Sequence, residues 1–293
     1  MSAVDLSALP APQVLEPLDV ETTYEEALGI FRDWMGNNWN AALESDPVTK
    51  LIELGAYNKL GNRARVNDGC KALLLAYARK SDLDQLAFNV NLKRLVIQAE
   101  DLTTFPPTAE VKEEDDALRE RIQLVYEGLT TAGPRNSYIL HARNSSGLVA
   151  DATAESPSPS TVVVTVLALS ETGIAPQSLL DEVRDYLSDE NIRPLGDRLI
   201  VQSAEILPYT INAVVHMVGT GSENETILAQ CEARLKAWIN PRRRLGVEVA
   251  RSAIDAQLHI AGVRRVDLGD WLDILPSKSQ AAYCKGFTLT KGD

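Results

Sequence analysis

Aromatic residues are scarce, at 5% of 293 positions, so the cores must be filled by Leu, Val, Ile and Ala around four isolated tryptophans, Trp34, Trp39, Trp238 and Trp271. Stacking platforms for bases or sugars are scarce for the same reason. Cysteine is sparser still: Cys70, Cys231 and Cys284 are odd in number and far apart, unlike a disulfide framework or a C-x-x-C metal site, and this fits a reducing compartment. No stretch approaches the roughly 18 apolar residues of a membrane span. The N-terminus lacks the basic start and apolar run of an export signal, so the chain is expected to be cytosolic when made. Positive charge is also in deficit. A net charge of −12 opposes binding to a phosphate backbone, which requires a basic face to displace counterions.

What is present has an ordinary globular balance, 45% hydrophobic against 24% charged, which argues against wholesale disorder. The length admits two or three compact units. Residues 1–20 carry Pro10, Pro12 and Pro17 and read as an extended arm of the kind that lies on a neighbour. Thr23 and Glu26 have capping-box spacing ahead of Ala27, Ile30, Phe31 and Trp34, which predicts a first helix. Asp46-Pro47 starts a second, with an acceptor before a proline at the first helical position. That helix is expected to be long, with Gly55, Gly61 and Gly69 as places where it breaks or where another helix approaches closely. An intrachain helix pair and a bundle shared between chains both fit this pattern. Ser81 to Leu86 reads as another short helical turn, and Phe105-Pro106-Pro107 as a joint. The acidic run Glu113 to Asp116 reads as the solvated first turn of a helix that carries Leu118, Ile122, Val125 and Leu129 as far as Gly133-Pro134.

After Ala150 the pattern changes. Ser156-Pro157-Ser158-Pro159 punctuates, and Thr161 to Val166 is a β-branched strand run. A helix from Pro176, with Leu179, Leu180, Val183, Tyr186 and Leu187 on one face, then leads to a strand at Leu199-Ile200-Val201, which makes a β-α-β unit. A second, similar unit runs from a strand near Ile211–Val218 into a helix capped by Ser222 and Glu225, with Ile227, Leu228, Cys231, Leu235, Trp238 and Ile239 inward. It continues through a helix at Val247 to His259 and a strand at Val263 to Leu268. The expected fold is therefore α+β, a helical N-terminal region followed by small α/β domains of β-α-β type. The divisions are 1–20 (arm), 21–105 (helical region), 106–156 (helix and connection), 157–270 (α+β) and 271–293 (C-terminal arm or strand).

No constellation that carries chemistry emerges. Gly219-Thr220-Gly221-Ser222 lies before a helix but lacks the phosphate-binding lysine and the G-x-G-x-x-G spacing. His141, His216 and His259 have no ligand spacing, and nothing around the cysteines marks a nucleophile. Arg242-Arg243-Arg244 reads as a solvated helix end or a patch for an acidic partner. No catalytic residue, metal, cofactor or small-molecule substrate is expected. Two other function classes stay in view: a small hydrolase or transferase built at Gly219–Ser222, and an adaptor docking through Arg242–Arg244.

The order of several segments resembles the baseplate J-like family of contractile tails. They are Asp46-Pro47, Arg63-Ala64-Arg65-Val66-Asn67-Asp68, Leu83 to Ala87, Asp116 to Ile122, Gly133-Pro134 with Tyr138, Val149-Ala150-Asp151-Ala152 ahead of Ser156-Pro157, and Ile260 to Val266. The resemblance implies a subunit of the baseplate wedge, without catalytic residues, whose N-terminal helices bundle with other wedge proteins. It implies that the C-terminal α/β parts close a ring of copies around the tail hub, in a particle assembled in the host cytoplasm. On that reading the candidate interface residues are Leu51, Ile52, Gly55, Arg63, Arg65 and Asn67, with Arg242, Arg243 and Arg244.

Overall fold

The computed structural model describes the chain except for residues 1–5, 7–8, 11, 37–38, 40–42, 44–45, 130–132, 220, 222, 241–242 and 293. The fold is α+β. Its internal contacts divide it into two compact units, one of residues 2–94 with 115–122 and one of residues 95–114 with 123–293.

The helical unit contains α1 (Val20–Met35), α2 (Pro47–Ala72), α3 (Lys80–Asn89) and most of α4 (Asp115–Leu124). The Thr23/Glu26 capping box does not form. Helix α1 starts a turn earlier, where the Asp19 carboxylate accepts the Glu21 N–H, while Thr23 is buried and donates its hydroxyl to the Asp19 carbonyl. Helix α2 begins as its sequence dictates: the Asp46 side chain accepts the Val48 N–H at 2.9 Å, with Pro47 in the first turn. It then runs 26 residues without a break, although interior glycines each cost about 1 kcal/mol relative to alanine. Helices α1 and α2 pack as a pair, and on α2 the buried positions are Thr49, Ile52, Ala56 and Asn67, spaced to lie along one helix face. Beside α3, Arg94 joins Asp84 and Asp115, each at 2.8 Å. Arg119 donates to the carbonyls of Leu75 and Ala78.

The second unit opens with a two-stranded ribbon, β1 (Val96–Gln98) and β2 (Val111–Lys112), paired antiparallel. Phe105-Pro106-Pro107, expected to be a joint, lies in the turn of this hairpin, where a proline withholds no N–H from a ladder. After a 3-10 turn at Val125–Leu129 comes α5 (Arg135–Ser145). Its sequence periodicity is masked because Ser137 and Arg143 are buried along with Tyr138, Leu140 and Ala142.

Strands β3 (Val149–Ser158), β4 (Thr161–Ala168) and β5 (Arg198–Ser203) form a sheet in that order. β3 runs antiparallel to β4 and β4 parallel to β5, with α6 (Gln177–Leu187) between β4 and β5 as the crossover of the expected β-α-β. Ser156-Pro157, read as punctuation, lies inside β3. That strand is at the sheet edge and its register slips between Glu155 and Ser158, which is where proline is tolerated. Helices α5 and α6 supply Tyr138, Ala142, Leu179, Leu180, Val183 and Leu187 to this core.

The second sheet has the order β7 (Val263–Asp267), β6 (Glu205–Met217), β8 (Gln280–Gly292), covered by α7 (Glu223–Trp238) and α8 (Arg251–Leu258). It is not a repeat of the first unit, because β7 pairs antiparallel to β6. The parallel partner of β6 is β8, drawn from residues 271–293. Ala281, Ala282, Cys284 and Leu289 bury that strand, and Trp271 stands edge-on to Tyr209 at 5.8 Å. Ser222 lies outside the described residues. On α7 the fully buried residues are Cys231 and Leu235, while Leu228 is only partly buried. Helix α8 is shorter than expected because Val249 is drawn into a bridge with Ile274.

Candidate functional site

The candidate residues on α2 fall on two sides of one helix. Ile52 lies in the seam, whereas its neighbour Leu51 is 67% exposed. Leu54, Val66 and Leu73 are exposed too, as are Gly55 and Arg65. At 100° per residue, Leu51, Leu54, Asn62, Arg65 and Gly69 lie on the side away from the seam, with Gly55, Val66 and Leu73 on its exposed flank. Among the described residues, a Cβ built on Gly55, Gly61 or Gly69 would meet nothing within 4 Å, so nothing in their packing requires a glycine at any of these positions.

Arg63 and Asn67, also expected to face partners, are engaged within the chain. The Asn67 amide accepts the Glu16 N–H at 3.0 Å and donates to the Glu16 carbonyl at 2.8 Å. Arg63 pairs with the Glu16 carboxylate at 2.7 Å and reaches Thr23. The end of the N-terminal arm therefore lies on its own α2. Sequence alone could not reveal this, since Glu16 and Asn67 are 51 residues apart. A shallow groove beside Glu16 is lined by Gly55, Asn58, Lys59, Asn62, Arg63 and Val66.

In the arginine cluster, Arg242 lies outside the described residues. Arg243 is not a solvated helix end. Its guanidinium donates to the carbonyls of Ser170 (2.9 Å) and Glu171 (3.1 Å) and lies 5.2 Å from the centre of the Tyr283 ring. Gly173, at φ +83°, makes room for it, since a Cβ there would come within 3.0 Å of the guanidinium. Arg244 donates to the Arg243 carbonyl. Arg243 thus forms part of a joint between the two sheets, β5 and β6 being separated by Ala204 alone. Leu167, Ala204, Leu245 and Ala281 are buried together there, and the Asp151 carboxylate accepts the N–H groups of Leu245 (3.0 Å) and Ala152 (2.9 Å). Burial pushes the Asp151 carboxyl above its ordinary range, against these N–H groups and the nearby Arg143 and Arg244. Sequence reasoning missed its role; the signal was an acid among the small apolar residues that open a strand.

The other candidates do not come together as a site. At the glycine turn before α7, Thr220 and Ser222 lie outside the described residues. The Glu223 carboxylate occupies the space beside Gly219 and Gly221, a negative charge where a phosphate would need a positive environment. His141 is held against Tyr186, its pKa lowered by burial; His216 contacts Arg265 at 3.2 Å; and the His259 N–H closes the end of α8 on the Asp255 carbonyl. Cys231 and Cys284 bond to the carbonyls of Leu258 and Gly286, burial raising both thiols. Among the described residues no three His, Cys, Asp or Glu are grouped to hold a metal, and no helix is long and apolar enough to cross a membrane.

These features describe an α+β protein with apolar side chains exposed along the outer side of α2. The Baseplate J-like N-terminal domain matches residues 44–101, and the Baseplate J-like central domain matches residues 130–203. Baseplate protein J of Escherichia phage P2 is 40% identical over all of this chain and 99% of its own length. The chain belongs to the baseplate J-like family.

Proposed function

We infer that the chain is a structural subunit of the baseplate wedge of a contractile phage tail. Its helical unit docks on other wedge proteins, and its α/β unit meets copies of itself as the ring closes around the tail hub. It is made in the host cytoplasm and ends in the virion, and it works without catalysis, cofactor, nucleic acid, membrane or small-molecule substrate. Family membership and the full-length likeness to the phage P2 protein support the class of role.

The observation that carries the docking surface is the outer side of α2, where Leu51, Leu54, Val66 and Leu73 face solvent beside glycines that the fold itself does not need. Exposed apolar side chains gathered on one face mark an interaction surface, and a missing Cβ lets a second helix come close. Of the residues expected to contact partners, Leu51, Gly55 and Arg65 fit this role. Ile52, Arg63 and Asn67 serve the fold. Leu51→Asp tests the reading: the isolated protein should keep its helicity and stability to within about 0.5 kcal/mol, as exposed substitutions do, while wedge complexes, followed by sedimentation, should be lost. Normal wedges from a folded Leu51→Asp chain would refute the docking surface.

A further inference from the structure

We propose that the tip of the β1–β2 hairpin is a preformed apolar knob that docks into a socket with a basic rim on a different protein of the tail. This deepens the baseplate reading in one respect, that the partner is another tail protein.

The knob is built rather than loose. Beyond the short ladder, Asp101 and Thr108 exchange both backbone hydrogen bonds at 2.9 Å, which closes a six-residue turn, 102–107. The Asp101 carboxylate accepts the N–H and hydroxyl of Thr103 at 2.8 and 2.6 Å. The Thr104 hydroxyl lies within hydrogen-bonding distance of the carbonyls of Asp101 and Pro106 and of the Thr108 hydroxyl. The base is fixed as well: the Glu113 N–H donates to the Leu95 carbonyl and its carboxylate accepts the Leu95 N–H, while the Val96 carbonyl lies so close to Gly147 that a Cβ there would meet it at 2.8 Å.

This scaffold holds large apolar side chains out in water. Phe105 is 100% exposed and Leu102 71%, and Pro106 and Pro107 stiffen the same turn. A tip ordered by its own hydrogen bonds loses little conformational entropy on binding, and an aromatic side chain seated in a pocket is the usual anchor of an interface. The surroundings specify the socket. Residues 99–112 carry Glu100, Asp101 and Glu110 against Lys112, a net charge of −2, and Lys112 is paired to Glu110 at 3.0 Å. An apolar knob inside an acidic collar is complementary to an apolar socket with a basic rim. The chain as a whole carries −12, so a different protein, rather than a second copy, better supplies that rim.

The test places a benzophenone photo-crosslinking residue at position 105 of the full chain and purifies tail particles that contain it. The expected result is a covalent link from position 105 to another tail protein, in a peptide with apolar residues beside Lys or Arg, reduced about tenfold by Glu100→Lys with Glu110→Lys. Particles that contain the chain but give no link, links only to a second copy, or a link indifferent to the charge reversal would each overturn the proposal. Particles that assemble without the chain would overturn it together with the baseplate reading. Leu102→Ser with Phe105→Ser should leave the circular dichroism of the free protein unchanged and prevent tail formation. A change in the free protein's spectrum would show that the tip belongs to the fold, and would overturn the docking role.

Discussion

The α1–α2 pair of the helical unit and the sheets of the α/β unit reach stability in different ways. Each three-stranded sheet of the α/β unit is sealed by helices over a cluster that holds 14 buried residues among those described. By contrast, α1 has Thr23 as its buried residue and α2 has Thr49, Ile52, Ala56 and Asn67, and the buried Thr49 hydroxyl has no hydrogen-bond partner among the described residues. Small and polar seam residues bury little apolar area, and hydrophobic stabilisation scales with that area at about 25 cal/mol per Å². The difference teaches that the two three-stranded sheets are sealed within the chain, whereas the outer side of α2, like the tip of the β1–β2 hairpin, keeps apolar surface exposed that another molecule could bury.

The largest effect should come from Ile52→Asp. A carboxylate placed in the α1–α2 seam has no partner and should cost about 3–5 kcal/mol, enough to open the helix pair, visible as rapid limited proteolysis of residues 20–72 while the α/β unit stays resistant. Equal resistance in both units would break the contrast between them. Leu235→Ala should follow closely, at about 2–5 kcal/mol from the cavity left under α7, read from the denaturant midpoint of the α/β unit. Leu228→Ala should cost clearly less, because Leu228 is only partly buried.

Asp115 sharpens the comparison through pH. Burial opposes its ionisation, but the Lys80 N–H and the Arg94 guanidinium outweigh this and hold its carboxyl below the ordinary 3.8. A carboxylate depressed in the folded state contributes stability above its unfolded pKa and loses it as pH falls through the folded value. The helical unit should therefore loosen below pH 3.8. Asp115→Asn should cost about 1 kcal/mol at neutral pH and flatten that acid limb in a thermal melt series. The smallest effect has the opposite sign. Gly55→Ala should stabilise the free chain by about 0.5–1 kcal/mol, since its Cβ enters open space on a helix, while weakening wedge formation in a pull-down. A gain in stability with unchanged wedges would mean that no helix approaches at Gly55.

Local chemistry was enough to read some elements from the sequence. Asp46-Pro47 starts α2, the β-branched run Val162 to Val166 lies in β4, and Leu179, Leu180, Val183 and Leu187 form the buried side of α6. In each the signal is a cap, a propensity or a period that neighbouring residues carry themselves. The candidate surface was half legible: the second helix was located, and Leu51 and Gly55 point outward. Leu51 and Ile52 could not be told apart, however, because the apolar residues of α2 occupy both its covered and its open side.

What the sequence by itself determined is the α+β class, the elements with strong local signals, and the absence of any spacing that would mark a metal, phosphate or nucleophile motif. Only the tertiary structure decided which side of α2 is covered, that Asn67 holds Glu16, that Arg243 clasps a loop 72 residues away, that β8 runs parallel to β6, and that Phe105 stands at a hairpin tip rather than in a joint. The physical reason is common to these cases. A period or a cap is written in residues a few positions apart, whereas the partner of a face, an edge or a charge is supplied by distant segments brought close when the chain folds.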